Sequence, residues 1–289
     1  MIQVESIELI TDQKTYTIKK HQVEEYPFQG GTSSNQITTK VWNQHGNTFV
    51  DSFMEPLDTS LTFGIFYGGK ELAEVASMHR EITDVCNPLN GIVEMKVTLN
   101  TGEIYSRDIS FTTTPQFPVG FENRNREFQK VRLEYEVHDP FWYSERDIVE
   151  TFQSVDPLFE FPFTMSTGDP VEFGSLLPAN IATNQGQVEA PVSIRITGIC
   201  TNPRIENKTT GEFIKLNNIS MGENETLVID TAFGQKKVEL DGVSMFHKLD
   251  TASTFFTLKK GENEIEFSDD TNSTTAKIYF TYKELFISI

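Results

Sequence analysis

A chain of 289 residues is long enough for two domains of roughly 100–200 residues each, and a hydrophobic content of 37% with 23 Phe excludes global disorder. The formal net charge of −18 excludes the basic footprint of a nucleic-acid binder and argues against docking on anionic membranes. It is compatible with an acidic channel through which nucleic acid passes, because repulsion prevents sticking.

The first predicted strand is short, with Ile2, Val4 and Ser6 on one face. Residues 30–35, which include Gly30 and Gly31, form a loop signal. Residues 39–42 read as a strand and residues 43–47 as a second loop. Leu61, Phe63 and Ile65 then alternate with Thr62 and Gly64 in a strand that ends at Gly68 and Gly69. The spacing predicts one helix over residues 70–86. Leu72, Val75, Ala76, His79, Ile82, Val85 and Cys86 fall on one face, while Glu71, Glu74, Arg80, Glu81 and Asp84 lie largely elsewhere. Asn87 and Pro88 stop it. His79 has no Cys, His or carboxylate partner at metal spacing, and reads as a packed or rim histidine. Val93, Met95, Val97 and Leu99 next alternate up to a turn at Asn100-Thr101-Gly102, and the chain returns through Glu103-Ile104-Tyr105-Ser106-Arg107-Asp108-Ile109 as a hairpin. A connection with Pro115 and Pro118 leads to a strand that places Val131, Leu133, Tyr135 and Val137 on one face.

Behind that strand stand Pro140, Phe141, Trp142 and Tyr143. Pro140 has no amide hydrogen for a central ladder position, and the three aromatics can bury much apolar area in few residues. Two readings stand side by side: a plug at the bottom of one core, or the packed seam between two all-β domains. Residues 145–190 follow as an extended crossing rich in Phe and Pro. A flexible linker would be rich in Gly and Ser instead. From Pro191 the pattern is all-β. Strands are marked by Val192, Ile194 and Ile196, by Phe213 with Leu216, Leu227 with Ile229, Val238 with Leu240, Phe256 with Leu258, Ile265 with Phe267, and by Ile278, Phe280 and Tyr282. Turns are read at Thr210-Gly211, at residues 221–224, at Asp241-Gly242, at residues 260–263 and at residues 269–272. Short strands with a turn every ~8–12 residues indicate a β-sandwich. The fold class is therefore mainly β in two domains, residues 1–144 with one α-helix and residues 145–289 as a sandwich.

Catalytic constellations are missing. The five histidines are scattered, and there is no Gly-x-Ser-x-Gly elbow, phosphate-cradling loop or His-Glu-x-x-His pair. The expectation is no catalytic residue, no metal and no cofactor. With 42 acids, chance carboxylate pairs carry no specificity for a glycosidase. Cys86 and Cys200 read as reduced, buried thiols. The first five residues lack a basic region followed by an apolar one, and no apolar run approaches the ~18 residues of a membrane span, so no signal peptide and no membrane insertion are expected. The Asn-x-Ser/Thr triplets at Asn207, Asn218, Asn224 and Asn272 read as turn and edge chemistry.

Three stretches carry a family likeness. Arg132-Leu133-Glu134-Tyr135-Glu136-Val137-His138-Asp139-Pro140-Phe141-Trp142-Tyr143 resembles the end of the N-terminal domain of siphophage distal tail proteins (Dit). Val188-Glu189-Ala190-Pro191-Val192-Ser193-Ile194-Arg195-Ile196-Thr197-Gly198 and Asn202-Pro203-Arg204-Ile205-Glu206-Asn207-Lys208-Thr209-Thr210-Gly211-Glu212 are similar to the start of their C-terminal domain. The order Leu227 to Thr231, Lys236 to Val238, then Phe255 to Asn263 follows the same pattern. This resemblance covers roughly residues 60–289. It implies a structural protein of a phage or prophage tail with a galectin-like or carbohydrate-module-like second domain. It further implies a hexameric ring, single or back-to-back, at the virion tail tip. Its partners would be the tail tube protein, the tape-measure protein and the tail-tip or receptor-binding proteins, with no sequence-specific nucleic acid. Assembly would take place in the bacterial cytoplasm. Glu71, Glu74, Arg80, Glu81 and Arg107 are the candidate ring contacts. An alternative from another class is a monomeric carbohydrate-binding adhesion module, with Tyr279 as the candidate sugar contact.

Overall fold

The computed structural model describes residues 3–25, 33–153, 180–271 and 276–289. The predicted loop at Gly30 and Gly31, the Phe-rich middle of the crossing and Asn272 lie outside the described residues. The chain divides into two compact units: Met1–Glu145 with Phe286–Ile289, and Arg146–Leu285.

The first unit contains β1 (Val4–Ile10), β2 (Thr15–Lys19), β3 (Val23–Glu25), β4 (Ser34–Thr39), β5 (Thr48–Met54), β6 (Leu57–Phe66), α1 (Leu72–Val85), β7 (Ile92–Leu99), β8 (Ile104–Phe111), β9 (Phe128–Val137) and β10 (Trp142–Ser144). Its main sheet runs β2-β1-β7-β8-β9-β6-β3, with β10 beside β8. The predicted alternations set its buried face. Val93, Met95, Val97 and Leu99 of β7, Leu61, Phe63 and Ile65 of β6, and Val131, Leu133, Tyr135 and Val137 of β9 are all buried. β1 departs from strict alternation. Its register on β7 shifts between Val4 and Ser6, so Ile7 and Leu9 join Val4 on the buried face where Ser6 was expected. One extra residue in a strand does this by kinking it.

The helix packs Ile82, Val85 and Cys86 into this core, with Val75 and Met78 against it. Leu72, expected on the same face, is 87% exposed because it opens the first turn, beyond the sheet's cover. The C-terminus is closed by a side chain: Asn90 Nδ2 donates to the carbonyls of Asp84 (2.7 Å) and Val85 (3.0 Å). These carbonyls have no partner within the helix.

A second departure concerns the predicted strand at residues 39–42. The strand lies earlier, at β4, and pairs with β5 as a separate two-stranded ribbon. Val41 and Trp42 fall in its turn. There Gln44 Oε1 accepts from the Val41 amide (3.0 Å) and Asn43 takes a positive φ of 67°.

The second unit contains β11 (Ile148–Gln153), β12 (Ile181–Asn184), β13 (Val192–Thr197), β14 (Cys200–Thr201), β15 (Arg204–Asn207), β16 (Glu212–Lys215), β17 (Ser220–Met221), β18 (Thr226–Asp230), β19 (Lys237–Leu240), β20 (Val243–Ser244), β21 (Gly261–Ser268) and β22 (Lys277–Tyr282). One antiparallel sheet runs β11-β22-β13-β18-β19-β20 and another β12-β21-β15-β16, with β14 and β17 paired apart. Each sheet buries one row, for example Ile194, Ile196, Ile229 and Phe280 in the first, and Ile205, Ile214, Ile265 and Phe267 in the second. Three expectations are corrected. Phe213 lies half-buried under Arg204, whose guanidinium sits 3.7 Å from the ring, and Ile214 points inward in its place. Phe256 and Leu258 are buried on a connection that makes only a single bridge, Leu258 to Ala190. The predicted turn at residues 260–263 is instead the start of β21, and Asn263 is buried. The last short strand, β23 (Leu285–Phe286), returns the chain to the first unit. Phe286 meets Tyr105 edge-on there (5.1 Å) and Ile289 packs on the core.

Candidate assembly surface

Of the predicted ring contacts, the structure brings four together. Glu71, Glu74, Arg80 and Glu81 are exposed along α1, in keeping with its single buried face. Arg107 is not among them. It lies on β8 at 3% exposure, with its guanidinium 3.9 Å from the ring centroid of Trp142. Burial pulls its pKa down from the ordinary value and pushes that of the adjacent Tyr135 hydroxyl up. A charged group enclosed this way holds its own core together and cannot reach a partner.

The residues behind β9 divide likewise. Trp142 is fully buried in the first unit's core, while Pro140, Phe141 and Tyr143 are half-buried. Tyr143 Oη donates to Asp139, whose other carboxylate oxygen accepts from the Phe141 amide (3.2 Å). Burial first, and Asp139 second, raise the Tyr143 pKa. Asp139 therefore ties down the turn that delivers Trp142. Tyr279 stands half-buried in the middle of β22, on the outward row, opposite Arg195 of β13 and Thr151 of β11.

His79 is packed, as its surroundings in the sequence suggested. Its ring stacks on Phe117 (4.3 Å between centroids, 5° between planes) and its Nε2 lies 2.9 Å from the Tyr67 hydroxyl. Burial, with Arg124 nearby, lowers its pKa. Cys86 and Cys200 are free and buried, and burial pushes both thiols up to about 12. Among the described residues no group of three or more His, Cys, Asp and Glu could hold a metal ion, and no helix is long and apolar enough to cross a membrane.

Two features escaped sequence reasoning. Asn184, Asn207 and Asn263 are fully buried polar residues. Asn207 Nδ2 donates to Asn263 Oδ1 (3.1 Å), and Asn263 Nδ2 donates to the carbonyls of Lys259 (2.8 Å) and Gly261 (3.1 Å). Asn207 does serve the turn that its triplet predicts, its Oδ1 accepting from the Thr209 amide (3.1 Å) and its carbonyl from the Gly211 amide (2.7 Å), but it does so from the interior. The other feature is the β4–β5 ribbon. Almost every one of its residues is exposed, including Ile37, Phe49, Val50 and Phe53, and Trp42 at its tip is 95% exposed. Apolar residues in a strand pattern normally announce a core, so the pattern alone could not show that these face solvent.

What the described residues offer is therefore surfaces, charged along α1 and apolar on the ribbon, carried by two mainly β units. Residues 185–286 match the family model described as siphovirus-type tail component, C-terminal domain. Among solved structures, the crystal structure of SPP1 Dit aligns with a TM-score of 0.66 at 12% identity, covering 96% of this chain and 98% of that one. That protein is described as a paradigm of the hub adsorption apparatus in phages infecting Gram-positive hosts. A chain of the phage P2 baseplate in its activated conformation with Ca aligns with a TM-score of 0.52 at 10% identity, covering 98% and 99%. No curated protein matches. The resemblance seen in the sequence holds: the chain has the fold of SPP1 Dit, and residues 185–286, within its second unit, match the siphovirus-type tail-component model. At 96% coverage the structural likeness also takes in most of the first sixty residues, which the sequence resemblance did not reach.

Proposed function

We propose that this protein is a hub of a phage or prophage tail tip, assembled as a hexameric ring that joins the tail tube to the receptor-binding apparatus. The observation that carries this reading is the likeness of fold to SPP1 Dit over nearly the whole length of both chains. The first unit forms the ring and the second, a sandwich of its two sheets, projects outward. The work is done by surfaces, so no catalytic step is required. A closed ring needs a head-to-tail interface in which two different patches of the same subunit meet. The exposed charges of α1, Glu71, Glu74, Arg80 and Glu81, are one such patch. An acidic balance of −18 suits a ring around a DNA channel. Tail tube, tape-measure and receptor-binding proteins are the partners this role requires, and the virion tail tip is its location.

The test is the solution mass of the purified chain by size exclusion with light scattering over a wide concentration range. A rise towards six chains, reversed by charge reversal at Glu71, Glu74, Arg80 and Glu81, supports the hub. A monomer at every concentration that is retained on polysaccharide, with retention lost in Tyr279→Ala, moves the conclusion to an adhesion module.

A further inference from the structure

The end of α1 rests on a chemically labile pair of residues. Asn90-Gly91 is the one Asn-Gly dipeptide in the chain, and the fold requires both members. Asn90 supplies the side-chain nitrogen that donates to the carbonyls of Asp84 (2.7 Å) and Val85 (3.0 Å), which the last turn of a helix leaves without partners. Gly91 takes a φ of 73°, a left-handed backbone in which a side chain would be strained. The lability comes from the same two residues. Glycine has no side chain to hinder its amide nitrogen from attacking the asparagine side chain before it, one source of the thermal instability of asparagine. Water is at hand, because Asn90 is exposed and lines a polar cavity of about 440 Å³ together with Asp12, Lys14 and Asp84.

The reaction consumes water alone. The Gly91 amide nitrogen gives up its proton and bonds to Asn90 Cγ, the Cγ–Nδ2 bond breaks, and ammonia leaves carrying that proton. The cyclic succinimide then adds water at either of its carbonyls and opens to aspartate or isoaspartate, with no oxidant or reductant taking part. The native geometry opposes the first step. Asn90 closes a 3₁₀ turn, Pro88–Asn90, with its own amide bonded to the Asn87 carbonyl (3.0 Å), and two carbonyls hold the nitrogen that must leave. Attack requires the side chain to swing away from the helix end, which breaks both capping bonds. The products in turn oppose the native geometry. Aspartate places an acceptor where a donor stood and adds negative charge at the end of the helix where the dipole is already negative. Isoaspartate routes the main chain through the former side chain, one atom longer, directly before Ile92, where β7 enters the main sheet between β1 and β8.

We propose that Asn90-Gly91 is a deamidation site guarded by the cap it forms, and that its conversion undoes the end of α1 and the entry to β7. Cap and reactive group are one side chain, so the site is released only when the helix end opens. Opening is reversible and hydrolysis is not, so each conversion is retained.

Trypsin supplies the reporter. Cleavage after Arg80 and Lys96 releases residues 81–96, whose asparagines are Asn87 and Asn90. Asn87 precedes Pro88, whose nitrogen bears no hydrogen and cannot displace ammonia, so an amide-to-acid mass change in this peptide reads Asn90. The full chain is aged at mildly alkaline pH, both folded and in guanidinium, and the peptide is quantified by mass spectrometry with isoaspartate identified by fragmentation. The expected result is conversion in both samples, slower in the folded one by about tenfold or more. In the aged folded sample and in Asn90→Asp, thiol labelling of Cys86, in the first unit, should move to lower urea, while that of Cys200, in the second, stays in place. Equal rates in the folded and unfolded chains overturn the guard. No conversion in guanidinium overturns the site itself. A Cys86 midpoint in Asn90→Asp equal to the parent's overturns its coupling to α1.

Discussion

Replacing Trp142 by Ala tests whether the residues behind β9 hold the first unit together. Trp142 is fully enclosed. Removing ~200 Å² of apolar contact at ~25 cal/mol per Å² costs about 5 kcal/mol, in line with the ~3–5 kcal/mol typical of large aromatic-to-Ala changes in cores. The ring also covers one face of the buried Arg107 guanidinium at 3.9 Å, an interaction worth about 0.5–2 kcal/mol. The total, about 4–7 kcal/mol, approaches the whole stability of a typical domain, ~5–15 kcal/mol. The two cysteines allow each unit to be followed separately. Cys86 lies in the first unit and Cys200 in the second, and both thiols are buried and pushed up to about 12, so labelling at pH 8 requires unfolding. Residue-resolved thiol labelling across a urea series should move the Cys86 midpoint of Trp142→Ala by this amount. A double-mutant cycle with Arg107→Met should return a coupling of about 0.5–2 kcal/mol between the two residues. A Cys86 shift equivalent to less than about 2 kcal/mol, or zero coupling, would refute the reasoning.

Other sites give sharper, smaller expectations. His79 has a folded pKa below its ordinary 6.5, so the unfolded chain binds a proton that the folded one does not. Stability is therefore fully present above about pH 6.5 and is lost as pH falls from there through the folded pKa. Melting curves of His79→Asn should lack this component, and identical pH profiles would contradict it. Asn263→Ala should destabilise the second unit by about 2–4 kcal/mol, because it strands the buried amide of Asn207 and the carbonyls of Lys259 and Gly261. The Cys200 labelling midpoint measures that loss. At Gly186 an added Cβ would lie 2.8 Å from the Leu285 carbonyl oxygen and 2.9 Å from its amide nitrogen. Gly186→Ala should accordingly cost about 1–3 kcal/mol in the same assay, and a neutral effect would mean that the Leu285 backbone yields freely.

Much of the fold was legible because the cores obey simple periods. The alternations in β6, β7, β9, β13 and β22 needed no tertiary information, since one face of each is buried and the other is not. The helix announced itself through spacings of three and four, yet Leu72 shows the limit of that signal: periodicity says which residues share a face, not how far along the axis the sheet covers it. Arg107 eludes the pattern because a charged residue in a strand is usually solvated, and the ring of Trp142, distant in sequence, makes its burial tolerable. The buried asparagines failed for a related reason. Their interior location depends on backbone carbonyls of Lys259 and Gly261 arriving at hydrogen-bonding distance, which no local pattern encodes. The ribbon shows the limit most plainly, because its apolar residues satisfy every local rule for a core strand and yet face solvent in this chain.

The return of Phe286–Ile289 to the first unit makes the second unit an insertion within it. During synthesis the first unit emerges from the ribosome early but lacks Phe286 against Tyr105 and Ile289 on its core until residues 286–289 have been made. The order of synthesis thus acts as a timer. A chain stopped before residue 286 lacks these contacts and the strand that β23 adds beside β10, so its first unit is left with Tyr105 and part of its core uncovered.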